Sequence, residues 1–83
     1  MDDWLDAAAQ RLAAAIGDDP EGYRLDDGEI DRILDLAGVA AHEGGHKTNA
    51  PLLCYLVGVA QARHPELDLR QVITAAIGDR IAV

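Results

Sequence analysis

The chain has 83 residues, enough for one domain and no second. Apolar residues make up 49%, a composition that folds rather than stays disordered. Seven basic side chains against fifteen acidic ones leave a net charge of −8, which makes nucleic acid and anionic membrane poor partners.

The spacing predicts four helices, over 3–16, 28–43, 50–63 and 69–77. Asp2 or Asp3 can cap the first, with carboxylates near the positive end of its dipole. Leu5, Ala8, Ala9, Leu12, Ala15 and Ile16 recur at helical intervals, and Gly17 is a natural stop. Residues 18–22, Asp-Asp-Pro-Glu-Gly, read as loop, with Tyr23 and Leu25 as small apolar anchors. The second helix begins after Asp26 or Asp27 and carries Ile30, Ile33, Leu34, Ala37, Ala40 and Ala41 on one face. It is expected to run out near Gly44-Gly45, because two adjacent glycines cost about 2 kcal/mol relative to alanine.

Thr48 or Asn49 can cap the third helix, and Pro51 suits its first turn. Leu52 through Ala60 is apolar or small on every face, so this is expected to be the most buried helix. Pro65 stops it at His64. Asp68-Leu69-Arg70-Gln71 has the form of a capping box, and Val72, Ile73, Ala76 and Ile77 form the last stripe. With no alternating strand pattern, the expected fold is all-α, a compact bundle of four short helices forming a single domain over 1–83.

His42-Glu43-Gly44-Gly45-His46 fits H-E-x-x-H, the pattern in which two histidines one helical turn apart bind zinc and the glutamate serves as general base. His42 and His46 are thus the candidate metal ligands of a zinc-dependent hydrolase. Two glycines inside the motif argue against the helix it requires. His64, Glu66 or Asp68 would have to supply a third ligand. The plainer reading places both histidines at a helix end, near its negative pole.

Lys47 and Thr48 precede the third helix, where a helix N-terminus can receive an anion. His42, Lys47, Thr48 and Tyr55 therefore form a candidate site for a small anionic ligand. The strand and the G-K-[ST] order of a nucleotide loop are absent. Tyr55 is otherwise expected in the core with its hydroxyl near the surface. Cys54 lies in apolar surroundings with no neighbouring base to form a thiolate. No catalytic residue and no cofactor are expected.

A lone cysteine forms no internal disulfide, which points to a reducing, cytoplasmic setting. The uncharged stretch from Thr48 to Gln61 is shorter than the ~20 residues of a membrane span. Aspartates at 2, 3 and 6 do not form a secretory leader. Residues 1–41 hold eleven acids and three bases, whereas the remainder is balanced. Helices 1 and 2 thus present an acidic surface to solvent or to a protein partner. A chain this short buries only about 60–65% of its unfolded surface, which leaves room for a homodimer.

Three ordered segments form a family pattern. They are Trp4-Leu5, then Ile33-Leu34-Asp35-Leu36-Ala37 running to Val39-Ala40-Ala41-His42, then Ala50-Pro51-Leu52 running to Tyr55-Leu56-Val57-Gly58. The chain resembles, over Trp4 to Ala62, the small uncharacterised bacterial helical domain that occurs alone or appended to molybdenum-cofactor guanylyltransferase. The resemblance implies that His42 ends the second helix, that Pro51-Leu52 starts the third and that Glu43 to His46 is a variable connection. The chain departs from the pattern in its 18–25 loop, its glycine pair and its capped fourth helix. By resemblance, the expected function is a non-enzymatic accessory or interaction module associated with molybdopterin–guanine dinucleotide biosynthesis, without the guanylyltransferase chemistry itself.

Overall fold

The computed structural model describes residues 1–78; the end of the expected domain, 79–83, lies outside the described residues. Four α-helices and one 3-10 turn account for its regular structure, and no strand occurs among the described residues. The fold is all-α, and each of the four helices falls within one residue of its expected start. The chain divides into two compact units, Met1–Ile30 and Asp31–Val83.

The first unit is organised by carboxylates. Helix α1 spans Asp3–Ile16, and Asp2 caps it by accepting a bond from the Leu5 amide at 2.7 Å. Gly17 closes it, its N–H donating to the Ala13 carbonyl. Residues read as plain loop form a 3-10 turn, Pro20–Tyr23. Pro20 presets the backbone angle of its first residue, and Asp19 accepts from the Glu21 amide at 3.0 Å. The Tyr23 hydroxyl donates to Asp18, and Arg24 lies 3.9 Å from Asp6 and 3.6 Å from Glu21. Asp26 and Glu29 form a reciprocal box, each side chain accepting from the other's amide, at 2.8 and 2.9 Å. That box starts helix α2, Asp27–Glu43.

The second unit contains most of α2, then α3 (Asn49–Arg63) and α4 (Leu69–Ile77). Leu36, Val57, Leu69, Val72 and Ile73 form its core, with Ile33, Leu53, Cys54, Ala60 and Ile77 packed against them. Leu36 is fully enclosed. Helix α4 supplies three of those five residues from only nine, because its apolar positions fall on one stripe. Asp68 and Gln71 make the expected capping box, with both bonds at 2.9 Å.

Helix α3 departs from expectation. Only Val57 is buried, whereas Leu52, Tyr55 and Leu56 are 62%, 68% and 62% exposed. A helix that is apolar all round can be buried only if it is packed on every side. In this unit the packed side carries Leu53, Cys54, Val57 and Ala60, and the opposite side faces out. Neither Thr48 nor Asn49 caps it as expected: Thr48 has helical backbone angles and makes no side-chain cap bond.

Candidate functional site

The α2–α3 connection carries most of the candidate residues. His42 is exposed in the last turn of α2, and Glu43 is the last helical residue. The Gly44 amide still donates to the Ala40 carbonyl at 3.0 Å, after which Gly45 turns the chain with φ +80°. A side chain at Gly44 would collide with the Ala40 carbonyl oxygen and the Asn49 amide group. The glycine leaves room for Asn49 Nδ2 to donate to the Gly44 carbonyl at 3.1 Å, a clasp across the connection. From the sequence alone, Asn49 is expected only as a cap. The available signal was an asparagine five residues after a glycine pair, a residue type that readily bonds nearby backbone.

This geometry separates the two halves of the H-E-x-x-H pattern. His42 is on a helix, whereas His46 lies beyond a left-handed glycine, so the imidazoles do not share the register of one helical turn. Among the described residues, no group of three His, Cys, Asp or Glu side chains is placed to hold a metal ion. The three residues considered as a further ligand are engaged elsewhere. His64 Nδ1 sits 3.4 Å from Glu66, and Asp68 caps α4.

The α3 N-terminus is also occupied. The Asn49 amide donates to His46 O at 3.0 Å and the Ala50 amide to Lys47 O at 3.2 Å, while Pro51 has no N–H. The amides that receive an anion at other helix starts are thus engaged or missing here. Lys47 and Thr48 are exposed on the connection. Tyr55 is not in the core; it stands on the outward face of α3, about 9 Å along the axis from Asn49. The structure places His42 on the last turn of α2, Lys47 and Thr48 on the connection that follows, and Tyr55 on the exposed side of α3.

That surface borders a feature the sequence did not reveal. A groove of about 440 Å³ lies within the second unit, with apolar walls from Val39, Leu52, Leu53, Leu56 and Ile77. Glu43, Gly44 and Asn49 form its polar end. Cys54 is half-buried behind the wall, its thiol 4.0 Å from the Ile33 carbonyl, and burial raises its pKa above the ordinary thiol value. That shift favours the thiol over the thiolate.

A helical fold with this connection and groove is compatible with many functions. The pattern of the domain of unknown function DUF6457 matches residues 1–82. The chain belongs to the DUF6457 family. The match covers both units and supports the resemblance to an uncharacterised domain. No curated protein and no solved structure matches the chain. Among the described residues, no helix is long and apolar enough to cross a membrane.

Proposed function

We propose that this DUF6457 chain is a non-enzymatic interaction module that docks onto a protein partner through its acidic first unit. The observation that carries the reading is the outward face of α1. Trp4 is 75% exposed, Leu12 51% and Ile16 58%. They stand in a unit with nine carboxylates against two basic side chains. Large apolar side chains surrounded by one sign of charge suit a partner with an apolar patch edged by lysine or arginine. Tryptophan is also among the residues most often central to binding.

The resemblance supports a finer assignment, an accessory role in molybdopterin–guanine dinucleotide biosynthesis with the guanylyltransferase as partner. Titration calorimetry of the purified chain against molybdenum-cofactor guanylyltransferase tests both levels. The expected result is saturable binding that weakens with added salt and drops at least about tenfold in Trp4→Ala. Absence of binding removes the finer assignment. Turnover of GTP or a cofactor precursor by the chain alone removes the non-enzymatic reading.

A further inference from the structure

The docking face of α1 has a period that specifies what it can hold. Leu5, Ala8, Leu12 and Ala15 are spaced three, four and three residues apart, the a and d positions of two successive heptads. Trp4 and Arg11 border this seam on one side, Ala9 and Ile16 on the other. Leu5, Leu12 and Ala15 are exposed, and Ala8 is half-buried. Within the first unit it is the other side of the helix that is covered. There Asp6 meets Arg24 at 3.9 Å, and Ala13, on the same side, is buried.

Such a seam takes a second helix. Leu5 and Leu12 stand as walls with Ala8 and Ala9 as the floor between them. That is the i, i+3, i+4, i+7 hole into which a side chain of a facing helix inserts. Alanine at the floor keeps the hole open and lets two helix axes approach closely. A strand has no place here, because α1 bonds its own backbone and offers no edge.

Charge narrows the choice further. Asp2 and Asp3 precede the seam, and Asp18 and Asp19 follow it. A second copy of α1 would set carboxylate against carboxylate in either direction, parallel or antiparallel. A helix with a cation at each end meets attraction at both. We propose that the partner at this face is one amphipathic α-helix of about four turns, with leucine-sized side chains at heptad spacing and lysine or arginine at each end. The inference rests on the acidic docking face and names what binds there. The seam rises about 15 Å from Leu5 to Ala15, and its two heptads are fewer than the roughly three or four that sustain a coiled coil. The contact is therefore reversible.

Peptide display on the immobilised full chain tests this, with random peptides of about 20 residues first depleted on Leu12→Asp, which places a carboxylate in the seam. The survivors are expected to carry apolar residues at i, i+3, i+4 and i+7, with lysine or arginine at both ends. A synthetic survivor should gain helical circular dichroism on binding and shift the emission of Trp4, the one tryptophan, to shorter wavelength. Ala8→Leu and Ala15→Leu fill the seam with a good helix former, and each is expected to weaken that peptide about tenfold. A contact resting on exposed apolar area alone would instead gain from the added leucine. Circular dichroism of each variant alone checks that it stays helical. Survivors with strand-like alternation, or without helix gain, overturn the helical partner and leave the docking face standing. Binding that either leucine leaves unchanged or strengthens does the same. A library with no survivors removes the docking face and the inference together.

Discussion

The two units cohere by different physics. In Met1–Ile30 the only fully buried apolar residue is Ala13, and the specific contacts are carboxylate bonds at the surface. From Asp31 onward the order is reversed. Leu36, Val57, Leu69, Val72 and Ile73 make a buried cluster, with the Asn49 clasp and the Asp68–Gln71 box at its surface. Nine acids fall in the first unit and six in the second, where five bases nearly balance them. The acidity of the first unit is therefore partly structural: Asp2, Asp19 and Asp26 each satisfy a backbone amide at a helix or turn start. Stability in such a chain should depend on apolar burial in one region and on polar detail in the other.

The largest expected effect follows from the enclosed leucine. Leu36→Ala should cost about 2–5 kcal/mol in urea unfolding, because it removes buried contacts and leaves a cavity. In the first unit Arg24→Ala should cost under about 1 kcal/mol, since its two ion pairs are solvent-exposed. Equal costs for the two would break the contrast between the units. A smaller effect separates the two helix starts of the second unit. Asp68→Ala should cost about 1 kcal/mol by removing one half of a capping box. Thr48→Ala, where no cap bond exists, should stay within about 0.5 kcal/mol. A Thr48→Ala loss as large as that of Asp68→Ala would mean that α3 is capped after all.

These contrasts explain which elements were legible in the sequence. Helix α4 was legible because its local signals agree: a box at Asp68–Gln71, an apolar stripe and a closing glycine. The Asp26–Glu29 box has the same signature, masked in the sequence by the neighbouring run of acidic residues. Helix α3 was legible as a helix but not in its burial. Apolar content on every face says that the helix can be packed anywhere and gives no stripe to show which side is covered. The groove was hidden for a related reason, since it arises where Val39, Leu52, Leu56 and Ile77 from three helices come together. The histidine pattern was legible as a motif, and its weakness was legible too, in the two glycines that carry the chain out of α2.

The smallest expected effect tests the polar side of the contrast, at the hydrogen bond between Tyr23 and Asp18. The phenol donates to the carboxylate, so removing its proton both breaks the bond and sets two anions side by side. The hydrogen bond, then burial and the Asp18 charge, raise the Tyr23 pKa above its ordinary value of 10.0. A raised folded value means that the stabilisation is complete below the unfolded pKa of 10.0 and is lost as pH climbs through the folded one. In a Tyr55→Phe background, where Tyr23 is the remaining tyrosine, phenolate absorbance should report a midpoint above 10.0 that falls toward it in Asp18→Asn. Melting temperatures taken on either side of pH 10.0 should show a further alkaline loss that Asp18→Asn diminishes. An unchanged midpoint in that variant would mean that the bond is not maintained in solution. The first unit would then owe its form to its helix and turn caps rather than to this link.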